Sequence, residues 1–123
     1  MNILIVEDEF LIALDLQMQL EQLQHSVLGP VKDFAACREV VTQSRPDLAF
    51  MDLRLANGES GEDLAKWLLS EHNIRCIFMS GNLDEQTQTR LRALEPIAML
   101  GKPTFPHLIA AVARRKCWHK NEV

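Results

Sequence analysis

The chain has 123 residues, 47% hydrophobic and 24% charged, which suits one soluble globular domain with its own core and is too short for two ordinary ones. A net charge of −4 and a pI near 5.5 speak against nucleic acid as an electrostatic partner. No apolar run reaches the length of a membrane span, and the start meets acid at Glu7 instead of carrying the basic region of a signal peptide.

Taken in order, Ile3-Leu4-Ile5-Val6 is an apolar run that stops at Glu7-Asp8-Glu9, which predicts a central buried strand and an acidic turn. Over residues 10–23, Leu11, Leu14, Met18 and Leu20, widened by Ile12, Leu16 and Leu23, recur at helical spacing. By themselves the three acids read as decoration of that helix's N-terminus. Val27, Leu28 and Val31 predict a second strand that Gly29-Pro30 breaks, and the proline favours a sheet edge. Asp33 caps a helix through Val40 and Val41, stopped by Arg45-Pro46.

Leu48-Ala49-Phe50-Met51 has no polar alternation, so it reads as a strand buried on both faces, and it ends on the bare carboxylate of Asp52. A loop over residues 53–60, containing Asn57-Gly58, leads to a helix from Gly61 through Trp67, Leu68 and Leu69. Residues 74–79, interrupted only by Arg75, form a fourth strand that ends at Ser80-Gly81. Residues 82–95 have only Leu83, Leu91, Ala93 and Leu94 to bury, so this helix is expected to be the most mobile regular element. A last strand over 97–100 precedes Gly101-Lys102-Pro103. A closing helix over 105–118 should turn Leu108, Ile109 and Val112 inward, with Arg114, Arg115 and Lys116 suited to the dipole at its end. One helix is all that fits after Lys102, so no effector domain is expected and residues 1–123 form one domain.

Strand and helix alternate five times. That pattern predicts an α/β fold, a doubly wound parallel sheet with right-handed crossovers and helices on both faces, three layers deep. In the flavodoxin-like strand order 2-1-3-4-5 the first and third strands are neighbours at the topological switch point, where ligands bind. Glu7, Asp8 and Asp52 then share one pocket, with Ser80 and Lys102 on the same edge. Clustered carboxylates repel unless a cation neutralises them, and an all-oxygen set without histidine suits Mg²⁺ better than zinc. An acid, a metal, a lysine and a hydroxyl are the parts that stabilise phosphoryl transfer, with Asp52 as nucleophile. Each residue alone has a bland reading as a loop, turn or surface group. Their joint occurrence after separate buried strands points to function.

In this order and spacing, Glu7-Asp8, Asp52, Ser80 and Lys102-Pro103 resemble the receiver domain of bacterial response regulators over essentially the whole chain. The resemblance implies a cytoplasmic phosphoacceptor of a two-component system, not a multiple-turnover enzyme. Asp52 would take a phosphoryl group from a sensor histidine kinase or histidine phosphotransfer protein. Asp8, Asp52 and the backbone carbonyl of Arg54 would bind Mg²⁺, Glu7 would act through water, and Ser80 and Lys102 would hold the phosphoryl oxygens. Without an output domain, such a regulator acts by protein contact or as a phosphate sink. Two departures stand out. Met99 occupies the place of the usual switch aromatic, and the loop after Asp52 is one residue longer and lacks its proline. Both, with Phe78-Met79-Ser80-Gly81, are similar to stand-alone alphaproteobacterial receivers that pair with kinases of the HWE type.

Two alternatives stay open: a phosphorylation-independent interaction module, suggested by Met99, and an aspartyl-phosphate phosphohydrolase, disfavoured because Arg54 stands where a second acid is wanted. The remaining special residues read as structural. His25, His72, His107 and His119 are scattered, Trp67 and Trp118 suit the core or its margin, and Met18, Met51, Met79 and Met99 suit packing. Cys37, Cys76 and Cys117 lack C-x-x-C spacing and suit free thiols in a reducing compartment, with Cys76 inert inside a strand.

Overall fold

A computed structural model describes the backbone of residues 1–104 and 106–122, with side chains through Arg114. The readings at Phe105, Arg115, Lys116, Cys117, Trp118 and His119 lie outside these described residues. Five parallel strands, β1 (Asn2–Val6), β2 (Ser26–Val31), β3 (Leu48–Asp52), β4 (Cys76–Ser80) and β5 (Ala98–Gly101), form one sheet in the order β2-β1-β3-β4-β5. The helices are α1 (Phe10–Gln22), α2 (Phe34–Gln43), α3 (Gly61–His72), α4 (Glu85–Arg92) and α5 (Pro106–Glu122). This is the flavodoxin-like order expected. No helix among the described residues is long and apolar enough to cross a membrane.

Why the strands are apolar throughout follows from the two cores. Leu4, Val6, Ala49, Met51 and Phe78 face a cluster completed by Cys37, Val41, Leu64 and Leu68 from α2 and α3. Their strand neighbours Ile3, Ile5, Leu48, Phe50 and Ile77 face the other, completed by Ala13, Leu16 and Leu20 from α1 and Ile109, Val112 and Ala113 from α5. Successive side chains point to opposite faces, so a strand covered on both sides needs apolar residues at every position.

The caps are mostly where the sequence puts them. Asp33 accepts from Ala36 N at 2.9 Å and opens α2, Ser60 accepts from Asp63 N at 3.3 Å and opens α3, and Asp84 accepts from Thr87 N at 2.8 Å. The last starts α4 at Glu85, so Asn82 and Leu83 stay outside a helix shorter than expected.

Three expectations are corrected. β2 is an edge strand as foreseen, but Gly29-Pro30 does not break it: the ladder slips register between Leu4 and Val6, a bulge against β1. Gly29 carries the bulge at φ +87°, where a Cβ would stand 2.8 Å from Val31 N. On α1 the apolar stripe is wider than the sheet can cover, so Leu11 (76% exposed), Met18 (53%), Leu14 and Leu23 face outward with Phe10 (75%). On α5, Leu108 also stays exposed while Ile109 and Val112 turn inward, because Ala113 shares their face.

Candidate functional site

Pairing of β1 with β3 sets Val6 beside Met51, so Glu7-Asp8, which follow β1, and Asp52, the last residue of β3, emerge side by side. One carboxylate oxygen from each of Glu7, Asp8 and Asp52 lies within 4.8 Å of the others. Glu7 and Asp52 are buried and Asp8 is exposed. From beyond β5, Lys102 reaches across the sheet edge: its Nζ donates to both Glu7 oxygens at 3.0 Å and lies 3.3 Å from Asp52 Oδ1. Asp8, Asp52 and Lys102 open into a cleft of about 580 Å³, which Arg54 and Ser80 also line. The five points read from sequence therefore converge.

Two of them arrive differently from the expectation. Glu7 is locked to Lys102 in a two-pronged ion pair instead of standing free for a water. The Ser80 hydroxyl is engaged in a local turn, accepting from Asn82 N at 3.1 Å and lying 3.4 Å from Asn82 O.

Burial pushes the Glu7 carboxyl up to about 7, and the Asp52 charge adds to the rise while Lys102 opposes it. Burial alone would lower the Lys102 ammonium, but the Glu7 and Asp52 carboxylates outweigh it and hold its pKa above the ordinary value. Lys102 thus stays a fixed cation, and Glu7 is the group poised to exchange a proton near neutrality. The acids fit a small hard cation: all donors are oxygen, they are close together, and one of them faces solvent.

The loop behind the site carries a residue that sequence reasoning passed over. Gly61 N donates to Leu53 O at 2.9 Å, and a Cβ at this glycine would stand 1.9 Å from Asp52 O. The first turn of α3 thus lies directly against the carbonyl of Asp52. A glycine placed at the start of a helix, where it costs helix propensity, was the available signal. Among the described residues Met51 and Met79 are buried as read, whereas Met18, read as packing, is 53% exposed. His72 packs edge-on against Trp67 with ring centroids 4.7 Å apart. Burial pushes the Cys37 thiol up to about 12 and raises Cys76 further, so neither offers a thiolate.

A family model described as the response regulator receiver domain matches residues 3–113. The phyllosphere-induced regulator PhyR of Methylorubrum extorquens is 37% identical over 112 residues, 90% of this chain and 41% of that protein. The signal receiver domain of a modulated diguanylate cyclase from Desulfovibrio desulfuricans superposes with a TM-score of 0.86 at 29% identity, covering 98% of this chain and 95% of that one. The anti-anti-sigma factor PhyR from Bartonella quintana gives 0.80 at 28% identity, covering 98% of this chain and 49% of that one. The chain thus spans less than half the length of the curated relative it matches.

Proposed function

This chain belongs to the response regulator receiver family, and from that premise we propose that it accepts a phosphoryl group on Asp52 from a phosphohistidine and signals by protein contact or by draining phosphate from a shared kinase. The observation that carries the reading is the convergence of Lys102 Nζ on Glu7 at 3.0 Å and on Asp52 at 3.3 Å, with Asp8 completing the acid cluster.

Asp52 is the nucleophile. An oxygen of its carboxylate attacks phosphorus, a P–O bond forms, and the P–N bond breaks with its electron pair leaving on the histidine nitrogen. Asp8, Asp52 and the Arg54 carbonyl would hold Mg²⁺, with Glu7 bonded to it through water. When bound, the ion would supply Lewis-acid charge that offsets the negative charge of the acids and of a phosphoryl group. Lys102 supplies a permanent positive charge to the phosphoryl oxygens, and Ser80 offers a hydroxyl once it leaves its turn with Asn82. Burial of Asp52 limits water at the acyl phosphate.

The donor is a sensor histidine kinase, of the HWE type on the features of the loop and strand β4, or a histidine phosphotransfer protein. Its seat is the exposed apolar flank of α1, where Phe10 and Leu14 line one hollow with Glu7 and Asp8 and Leu11 lines another with Lys102. The relatives named as anti-anti-sigma factors make an anti-sigma factor the first downstream partner to try.

Incubation with acetyl phosphate and Mg²⁺ tests the reading: about one phosphoryl group per chain is expected, none without Mg²⁺ and none in Asp52→Asn. A second reading, an interaction module that works unphosphorylated, draws on Met99 in the aromatic position, and a chain that never labels would establish it. Steady release of phosphate from an ester would point instead to a hydrolase.

A further inference from the structure

The segment that supplies the Arg54 carbonyl is fastened to a distant helix. Leu55 N donates to Glu59 O at 3.0 Å, Arg54 bridges Ser60, and Asn57 and Gly58 turn the chain at φ 63° and 72°. This closed loop then makes two bonds to the start of α2. Ala56 N donates to Lys32 O at 3.1 Å, and the half-buried Glu59 carboxylate accepts from Phe34 N at 2.7 Å.

Phe34 is the first residue of α2, so its N–H has no partner within the helix. Asp33, the residue's own neighbour, already caps Ala36. A second carboxylate, brought from 25 residues away, satisfies the next orphan donor. A charge-assisted bond of this length at a helix N-terminus is stronger than a neutral one, and the helix dipole favours the anion. Leu55 packs into the core beneath the loop, and the Glu59–Phe34 and Ala56–Lys32 hydrogen bonds tie the loop to the start of α2.

We propose that Glu59 is a positioning residue for the metal site: by docking its carboxylate on the α2 N-terminus it sets where the loop presents the Arg54 carbonyl. This rests on the reading of Asp52, Asp8 and Arg54 as the ion's ligands. Residues that orient a ligand without touching the metal commonly change metal affinity by about 10–100-fold when removed. Glu59 works from across the loop in the same way.

Calorimetric titration of the full, unphosphorylated chain with MgCl₂ tests it without any activity readout. Glu59→Ala should raise the Mg²⁺ Kd about tenfold, while Glu59→Gln, which keeps an acceptor oxygen, should stay within about threefold of wild type. Asp33→Ala is the control, because it strips the other cap from the same helix and leaves the loop's anchor in place; its Kd should be that of wild type. Should Glu59→Ala be recovered unfolded, Glu59→Asp carries the same expectation, since its shorter arm falls short of Phe34. An unchanged Kd in Glu59→Ala or Glu59→Asp overturns the proposal, and so does an equal loss in Asp33→Ala, which would trace the effect to helix stability. A wild-type chain that binds no Mg²⁺ would instead overturn the phosphoacceptor reading, and this proposal with it.

Discussion

If the acid cluster takes Mg²⁺ as proposed, the Glu7 carboxyl would make that binding a function of pH. Its pKa is pushed from the ordinary 4.5 up to about 7, chiefly by burial. A cation in the acid cluster favours the ionised form, so binding expels whatever proton Glu7 carries. The apparent Mg²⁺ Kd then scales as one plus the protonated-to-ionised ratio: about elevenfold above its limit at pH 6, twofold at pH 7 and within about 10% of it at pH 8. Between pH 6 and 8 the affinity should therefore rise about tenfold, with roughly half a proton released per ion at pH 7. With the ordinary pKa the same span would change Kd by only about 3%. Titrations at pH 6, 7 and 8, repeated in buffers of different ionisation enthalpy, read both quantities, and Glu7→Gln should remove the slope. The sign for stability without metal is opposite. The folded state holds this proton more tightly than the unfolded chain, so stability should fall as pH rises from 4.5 to 7, by up to about 3 kcal/mol. The pKa of Lys102 is raised from 10.5, so its own loss of stability lies at still higher pH, outside this window. An Mg²⁺ affinity equal at pH 6 and pH 8 would refute the assignment of the titrating proton to Glu7.

Other consequences can be measured separately. Gly61→Ala puts a methyl where the Asp52 carbonyl stands, at 1.9 Å, so it should cost about 1–3 kcal/mol in urea unfolding and slow acetyl phosphate labelling. Leu11→Glu changes a side chain that is 76% exposed; labelling by acetyl phosphate should be unchanged while transfer from a cognate kinase falls at least about tenfold, the loss of one apolar anchor. Phosphorylation or a beryllofluoride mimic should alter amide exchange across residues 83–94, reached from Ser80 through its turn with Asn82, and equal exchange in both states would exclude that route. Asp52→Asn should abolish labelling yet keep the fold, as judged by an unchanged far-ultraviolet circular dichroism spectrum.

The central strands were legible because β1, β3 and β4 are covered on both sides: Ile3 to Val6 and Leu48 to Met51 are unbroken apolar runs for that reason. The cluster was legible because every member sits one or two residues past such a run. Harder to see were features that depend on the distance between elements. Leu11 and Leu108 have the right spacing to be buried and are not: the buried faces of α1 and α5 are made by Ala13, Leu16 and Leu20 and by Ile109, Val112 and Ala113. Glu59 meets Phe34 across 25 residues of sequence, and the closeness of Gly61 to Asp52 is a property of how α3 leaves the loop. The Glu59–Phe34 pairing leaves no local pattern, and the only cue at Gly61 is a glycine opening a helix. The ion pair of Glu7 with Lys102 was hidden for the same reason.

That ion pair bears on how a chain with Met99 can switch. Glu7, Asp8 and Asp52 against Lys102 leave two negative charges in the cleft when all are ionised, which one divalent cation balances. A cation held by the acids would compete with Lys102 for Glu7, and the ammonium already lies 3.3 Å from Asp52. Phosphorylation then replaces one carboxylate charge by about −2, which strengthens the pull on Lys102 and on the Ser80 hydroxyl. Met99 lies half-buried against the core that also holds Leu83 and Leu94, and a flexible thioether adapts to a moved neighbour without a ring having to rotate. The strain of rearrangement therefore falls on the Ser80–Asn82 turn, whose two bonds are long at 3.1 and 3.4 Å, and passes from there into Leu83 and the short helix α4. On the proposed phosphoacceptor reading, the lever would be the Ser80–Asn82 turn, with the Met99 thioether yielding behind it.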